Sequence, residues 1–298
     1  MEKNQEMEKA RKTNSFKIVG TIKETKELEC KTSKAGEEYL SGTVTLEVNV
    51  PGEETSLFEV EVYQKKLTKD GKPSQLFDTY LSLVGKVGQK YVVNGSITEN
   101  RFFDKKTSTL ASAYKLSGKW FNPAKIGEND EASFEFSGFV NKVLTERTAK
   151  KDNALICYDI EIGQASYNDD KCSIYKFQVD PNNISVVSGI QSAWAIGSTV
   201  KFFGKLSCVV EQQTVEEKSG FGETKVKTYV NTKKRFWITG GDMPITNGNQ
   251  YSLADVQNLK QVYAKKDLEL NSAAQSNVSA GTVTAGVGGI SSRTSSLI

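Results

Sequence analysis

The chain has 298 residues, a formal net charge of +3 and no histidine. This length accommodates about two domains, and its 37% hydrophobic residues can form cores. Because imidazole is the commonest general base and metal ligand, its absence excludes serine–histidine and cysteine–histidine catalysis and zinc sites that need histidine. The small net charge predicts no strong field around the whole molecule, so a basic surface has to come from the arrangement of charges.

Neither the thiols nor the apolar runs indicate a metal site or a membrane segment. No Cys-x-x-Cys pair occurs, which favours buried, reduced thiols over a zinc site, and the four cysteines are Cys30, Cys157, Cys172 and Cys208. No stretch approaches about 18 consecutive apolar residues. Residues 1–13 alternate Glu and Lys without an apolar core, unlike a signal peptide. We therefore expect a cytoplasmic protein that needs no cofactor and no metal.

A strand-rich pattern occurs twice along the chain. Residues 16–22 and residues 134–140 both alternate apolar side chains around a central glycine. Glycine pairs at the same spacing also occur in both copies, Gly88 with Gly95 and Gly197 with Gly204. Each copy is predicted to end on a basic-aromatic run, Lys119-Trp120-Phe121 or Arg235-Phe236-Trp237. The repeats predict one duplicated module of about 105 residues.

The first module is predicted to span residues 15–122, after a charged N-terminal arm at residues 1–14. Alternation of apolar and polar side chains predicts its five strands, which we place near 16–24, 39–49, 57–64, 90–100 and 109–120. Residues 73–84, between the third and fourth strands, switch to helical spacing, and Ser74 is a candidate N-cap.

A linker at residues 123–132 is predicted to lead into the second module at residues 133–240. The strands of this module are placed near 134–145, 154–163, 173–179, 198–211 and 225–238, with residues 183–196 at the position of the first module's helix. Residues 241–298 differ in composition. An amphipathic helix is predicted over 252–270, with Leu253, Val256 and Leu259 on its apolar side, and a flexible Ser/Gly/Thr/Ala-rich tail follows.

The order of elements within each module predicts the fold. Three strands, a short helix and two more strands form the layout of the OB-fold. A glycine in the middle of the first strand allows a long strand to bend and to serve two sides of a small barrel. An SH3-like barrel also has five strands, but it lacks a helix of this length between the third and fourth. We therefore predict a mainly β protein with two tandem five-stranded OB-fold-like barrels, a C-terminal helix and a flexible tail.

Catalytic patterns are absent from the sequence. It contains neither the Gly-x-x-x-x-Gly-Lys-Ser/Thr phosphate loop nor Gly-x-Gly-x-x-Gly after a strand. Asp169 and Asp170 are typical of a solvated turn, and no pair of carboxylates resembles an active site. We therefore predict that the protein is not an enzyme and has no catalytic residues.

The loops between the fourth and fifth strands are the first candidate binding sites. In the first module this loop combines aromatic rings with cations, a composition that single-stranded nucleic acid favours because rings stack on bases and cations neutralise phosphates. Its candidate residues are Arg101, Phe102, Phe103, Lys105 and Lys106. Burial of one of the two phenylalanines at a barrel end is the alternative. The second module offers Phe221 between two glycines, in a loop with several acids.

Strand parity adds a second set of candidates. Val200 and Phe202 are predicted to point inward, which places the intervening side chains outward. Lysines interleaved with outward rings form the set, which comprises Tyr63, Lys65, Lys66, Lys201, Phe203, Lys205, Lys225, Lys227 and Tyr229. The basic-aromatic run at residues 233–237 adds Lys233 and Arg235, with one of Phe236 and Trp237 in the core and the other near the surface.

The repeated strands and the aromatic-basic loop resemble those of tandem OB-fold single-stranded DNA-binding proteins, particularly divergent ones encoded by bacteriophages. The resemblance covers residues 15–240. It implies that the protein coats single-stranded DNA in replication, recombination or repair, in the host cytoplasm if phage-encoded, with replication or recombination proteins as candidate partners. Bacterial members end in an acidic tail tipped with an apolar residue, whereas the tail here has no acid.

Two other functions remain open at this point. Duplicated barrels with a nearly neutral surface also suit a non-catalytic protein-interaction or virion structural module. RNA binding is a weaker alternative, since nothing in the sequence selects for or against a 2′-hydroxyl contact.

Overall fold

The structure is a computed structural model that describes residues 12–105, 107–149, 152–166, 168, 170–217 and 225–282. For residues 209–217, 225–233 and 275–282 it describes the backbone alone. Most of the predicted N-terminal arm and the end of the predicted tail therefore lie outside the described residues.

Each repeat forms three strands, a helix and two strands, as the sequence predicts. In the first module, β1 is Asn14–Thr32, β2 Glu38–Val48, β3 Ser56–Lys65, α1 Gln75–Leu81, β4 Lys90–Asp104 and β5 Thr109–Pro123, with a 3-10 helix at Ser82–Lys86 after α1. In the second module, β6 is Glu131–Thr148, β7 Leu155–Ala165, β8 Cys172–Val179, α2 Ile184–Ala193, β9 Thr199–Glu217 and β10 Lys225–Gly241. Helix α3, Leu253–Thr282, follows, so the mainly β class and the C-terminal helix are confirmed.

The strands of each module pair in a closed cycle. In the first module the order is β1-β2-β3-β5-β4 and back to β1, with β3 and β5 parallel. The second module repeats it as β6-β7-β8-β10-β9 and back to β6. Antiparallel pairing of β1 with β6, from Asn14 opposite Phe136 to Val19 opposite Glu131, joins all ten strands into one sheet.

A glycine lies where the first strand of each cycle changes partners. β1 pairs with β4 through Phe16–Thr21 and with β2 from Thr21 onward, and Gly20 lies at this change. A Cβ atom on Gly20 would lie 2.6 Å from the Glu47 carbonyl oxygen. A Cβ atom on Gly138, the equivalent residue of β6, would lie 2.4 Å from the Gly163 carbonyl oxygen. Any side chain at these positions would separate strands that must meet there, so the structure requires glycine for close approach of the backbones. The bend of the strand stays a prediction.

The register of the sheet corrects the predicted equivalence of the two basic-aromatic runs. Glu61 of β3 lies opposite Ser117 of β5, and its counterpart Gln178 of β8 lies opposite Trp237 of β10. Trp237 therefore corresponds to Ser117 rather than to Phe121. The two runs occupy different register positions along the fifth strands of their modules, so their similarity in sequence is not a structural repeat.

One apolar cluster extends through both modules. Its buried side chains include phenylalanines on the strands, among them Phe16, Phe58, Phe134, Phe136, Phe177 and Phe202. A smaller cluster, in which Val256 and Leu259 pack with Phe139, attaches helix α3 to the second module. Division into separately folding domains stays a prediction, since the modules share a sheet and a core.

The thiols follow the predicted burial with one exception. Cys157, Cys172 and Cys208 are buried, whereas Cys30 is exposed. Burial raises the pKa of the Cys172 thiol to about 12 and that of Cys208 to about 11. These two thiols are therefore protonated at neutral pH and are poor nucleophiles.

The C-terminal segment differs from its prediction in two ways. Helix α3 continues to Thr282, well beyond the predicted end at residue 270. Leu253 is exposed, whereas Val256 and Leu259 are buried as predicted, because these two side chains lie on the side of the helix that packs with Phe139. Among the described residues, no helix is long and apolar enough to cross a membrane.

We expect Gly20→Ala to destabilise the protein by about 1–3 kcal/mol, the usual cost of overpacking a close contact. The measurement is urea-induced unfolding followed by circular dichroism. Gly189→Ala is the matched control. Gly189 lies in helix α2 with open space around its Cβ position, so this substitution should be neutral or stabilising. Equal effects of the two substitutions would contradict the close-approach argument.

Candidate nucleic-acid interface

A basic groove lies between the two modules. It has a volume of about 550 Å³ and is bordered by β3 and β5 of the first module and by β6, β7, β8 and β10 of the second. Four cations line it, Arg147, Lys176, Lys234 and Arg235. We call this cavity the intermodule groove.

Strand alternation places these cations at the groove. In β8, Tyr175, Phe177 and Val179 are buried in the core, which turns the intervening Lys176 to the opposite face. Lys234 and Arg235 come directly before buried Phe236, where β10 pairs with β9 and approaches β8. The prediction that one of Phe236 and Trp237 is buried is confirmed, since Phe236 lies in the core and Trp237 is half-buried.

The acids of the groove neutralise only part of its positive charge. Arg147 forms a bidentate pair with Asp159, with nitrogen–oxygen distances of 2.6–3.0 Å. Glu59 interacts with Lys26 at 3.4 Å.

In the part of the chain that the structure describes, the other cations of the groove lack an acid partner of this kind. The guanidinium of Arg235 lies over the Trp237 ring, 5.7 Å from its centroid. Within the described side chains, Lys176 and Lys234 have no ion-pair partner. A group of half-buried cations of which only Arg147 is paired with an acid among the described side chains attracts an anionic ligand.

Tyr114 of β5 forms part of the groove wall and ties the modules together. Its hydroxyl accepts a hydrogen bond from the Lys176 backbone N–H at 3.0 Å and donates one to the Ile174 carbonyl at 3.3 Å. Its ring stacks on Tyr175, with centroids 5.9 Å apart, and meets Phe236 edge-on. Burial raises the pKa of the Tyr114 phenol, so it remains protonated and able to donate at neutral pH.

A second cavity of about 360 Å³ continues the groove past Ser112, Tyr114 and Lys176. Arg101 and Tyr263 line its far end. The guanidinium of Arg101 is bound to Asp267 of helix α3, with distances of 2.8 and 2.9 Å.

The structure places Arg101, Phe102 and Phe103 in strand β4 rather than in the predicted loop, because β4 continues to Asp104 in its pairing with β5. Arg101 is engaged with helix α3, as described above. Phe102 is 38% exposed and Phe103 is half-buried, so the more covered of the two rings is Phe103. Lys105 is exposed, and Lys106 lies outside the described residues. A role of these residues in binding DNA stays a prediction.

Tyr63, Lys65 and Lys66 lie at the end of β3, apart from the groove lining. Tyr63 is 59% exposed and its ring lies 5.5 Å from that of Tyr39. Lys65 pairs with Glu37 and Lys66 with Glu38, each at 2.7 Å. These hydrogen bonds raise the pKa of both lysines. Such exposed pairs exchange readily with water, so the lysines can still meet a phosphate.

The predicted set on β9 and β10 is described only in part. Val200 and Phe202 are buried, which confirms the predicted parity, and Phe203 is 51% exposed. Lys201 pairs with Glu135 at 3.5 Å and Lys205 with Glu53 at 2.9 Å. Phe221 and the side chains of Lys225, Lys227, Tyr229 and Lys233 lie outside the described residues. Of the predicted residues with described side chains, only Arg235 and Arg101 line the groove and its continuation.

Three cations of the groove, Arg147, Lys176 and Lys234, were missed by sequence reasoning. A signal existed for Lys176, because it alternates with Tyr175 and Phe177 on the third strand of its repeat. Lys234 belongs to the basic-aromatic run at residues 233–237, so a signal existed for it as well. Arg147 reaches the groove only through the packing of the modules, for which the sequence carries no local signal. The described residues contain no group of three or more Cys, Asp or Glu side chains arranged to hold a metal ion.

Fold and groove together define a mainly β protein with a duplicated five-strand cycle and a basic seam between its modules. A family model described as YorF matches residues 12–276, and the chain belongs to the YorF family. A comparison with curated proteins found no match.

Among solved structures, the chain is similar to the single-stranded DNA binding protein from Thermus aquaticus. The wild-type structure has 12% identity and a TM-score of 0.48, and the match covers 82% of this chain and 98% of that one. A deletion mutant of the same protein has 12% identity and a TM-score of 0.48, with coverage of 80% and 97%. A bacteriophage origin stays a prediction.

We expect Tyr114→Phe to lower the free energy of unfolding by about 1–3 kcal/mol, because it leaves the partly buried Lys176 N–H and Ile174 carbonyl without their partner. Unfolding in urea measures the change. Tyr63→Phe is the control, since this ring is exposed, and it should alter stability by less than about 0.5 kcal/mol. An equally small effect at Tyr114 would show that its hydroxyl does not join the modules.

Proposed function

We propose that this protein binds single-stranded DNA without sequence specificity and without a catalytic step, and that the intermodule groove holds the strand. The observation that carries the proposal is that four half-buried cations line the groove, whereas its lining contains few acids. Lys176 and Lys234 are partly removed from water without an ion-pair partner among the described side chains. A phosphate bound there would recover the interactions that burial has cost them.

The recessed position of the cations favours a single strand over a duplex. The cations lie inside a groove between two modules, and a flexible single strand can enter it. The phosphates of a duplex are held on a stiff cylinder that cannot follow such a groove. Because phosphate contacts and stacking on rings carry no sequence information, the contacts are expected to tolerate any sequence.

Apolar surface beside the cations supports contacts with bases. Ile156 lines the groove and is exposed, and the Trp237 ring lies next to Arg235. Stacking of a base on an aromatic ring is worth about 1–3 kcal/mol. The exposed rings of Tyr63, Phe102 and Phe203 offer further stacking positions outside the groove.

The topology supports an interpretation of each module as an OB-fold. The cycle order of first, second, third, fifth and fourth strand, with a helix between the third and fourth, is the OB-fold arrangement. In that fold, oligonucleotides bind across the second and third strands. In the second module these strands are β7 and β8, which supply Ile156 and Lys176 to the groove. We infer a tandem OB-fold protein that coats single-stranded DNA during replication, recombination or repair.

We expect the double substitution Lys176→Ala with Lys234→Ala to weaken binding to oligo-dT about tenfold or more at low salt. The slope of log affinity against log salt should fall by about 1.4, because each lost phosphate contact on a single strand contributes about 0.7. Fluorescence anisotropy at about 50 and about 200 mM salt measures both quantities.

The matched control is Lys119→Ala with Lys125→Ala, which removes the same charge from two exposed lysines outside the groove lining. Equal losses in the two double variants would mean that the groove is not the binding site. Parallel titrations with duplex DNA and with RNA test the choice of ligand. No binding of the unmodified protein to any of the three would favour a protein-interaction or structural role.

A further inference from the structure

Helix α3 spans the seam between the modules at the end of the groove where Arg101 lies. Its first turns pack on the second module, where Val256 and Leu259 join the buried cluster around Phe139. Its middle reaches the first module through Tyr263 and Asp267. The helix is therefore attached to both walls of the groove.

The first contact with the first module is a carboxylate shared by three elements. Glu99 of β4 accepts hydrogen bonds from the hydroxyls of Ser112 and Tyr263, at 2.6 and 2.7 Å. Its other oxygen accepts one from the backbone N–H of Ile174 in β8, at 3.3 Å. One side chain thus connects β5, helix α3 and the second module. Burial, followed by the hydrogen bond to Glu99, raises the pKa of Tyr263 and keeps its hydroxyl protonated as a donor.

The second contact is a bidentate ion pair. Arg101 donates to both carboxylate oxygens of Asp267, and its remaining nitrogen donates to the Ser112 hydroxyl at 3.2 Å. The guanidinium also lies 5.4 Å from the centroid of the Tyr263 ring. The Arg101 side chain is 17% exposed, so this pair is better shielded from water than the exposed Lys–Glu pairs of the surface. Its geometry directs Arg101 toward the helix.

We propose that Glu99, Arg101, Tyr263 and Asp267 form a clamp that fixes the width of the intermodule groove and so sets its affinity for single-stranded DNA. This inference rests on the proposed function. The clamp residues act as positioning residues, since their polar groups are bound to one another, to Ser112 and to the Ile174 backbone. Without the clamp, fewer contacts hold the β4–β5 hairpin against β8, the hairpin can shift further, and binding then carries the added cost of ordering the two walls.

The test uses the full chain with Asp267→Asn and Tyr263→Phe combined. We expect oligo-dT to bind about 5- to 10-fold more weakly, because the groove is no longer pre-organised. The salt slope should stay unchanged, because the phosphate contacts remain. Glu269→Gln, a substitution of an exposed acid on the same helix, is the control and should leave affinity intact. Asp267→Glu combined with Tyr263→Phe should recover part of the loss, since it restores the ion pair.

Other outcomes overturn the clamp. If Asp267 instead blocks a phosphate site on Arg101, Asp267→Asn will raise affinity and steepen the salt slope by about 0.7. Unchanged affinity in the combined variant also contradicts the proposal, provided that circular dichroism shows an intact fold. Failure of the proposed function is distinguishable, because then the unmodified protein itself binds no oligo-dT. Hydrogen exchange of backbone amides in β8 measures the effect of the clamp without DNA. Unchanged protection of the Ile174 amide in the combined variant would contradict the clamp.

Discussion

The antiparallel pairing of β1 with β6 is the constraint on which the arrangement of the two modules depends. Each of these strands already closes its own cycle, so their pairing makes the modules parts of one sheet. The side chain of Asn14 reinforces the junction, since it bonds to both backbone groups of Ile97 and to Gln164. With this edge fixed, the remaining freedom of the modules is a rotation about the junction, and contacts far from it decide whether a groove of defined width exists.

Polar contacts between β4, β5 and β8 limit that rotation. The hydroxyls of Tyr114 and Tyr175 and the carboxylate of Glu99 each bond to backbone groups of the other module. A buried hydrogen bond contributes only about 1 kcal/mol net, but leaving a buried partner unsatisfied costs more. Such a network therefore contributes less to total stability than the phenylalanine core does. Its main effect is to select one relative orientation, and a groove held in one orientation binds a flexible strand at a lower entropic cost.

The sequence was sufficient to predict the strands and the positions of the two short helices, because these follow from local alternation of apolar and polar side chains. It was not sufficient to predict the groove. The partner of Arg101 lies 166 positions away at Asp267, and no local pattern indicates that the guanidinium turns toward a helix rather than toward a ligand. The predicted equivalence of the two basic-aromatic runs was wrong for a related reason. Composition is independent of strand register, and register decides which residues of the two modules correspond.

Divergence after duplication explains why the two modules contribute differently to the groove. Glu59 of β3 and Lys176 of β8 occupy equivalent positions of the repeat, and both line the groove. In the first module the position is acidic and interacts with Lys26, whereas in the second it is a cation without an ion-pair partner among the described side chains. The first module therefore supplies mainly a wall, through Ser112 and Tyr114, and the second supplies the charge. If both copies carried a cation at this position, like charges would lie on both sides of the groove and oppose the packing that forms it.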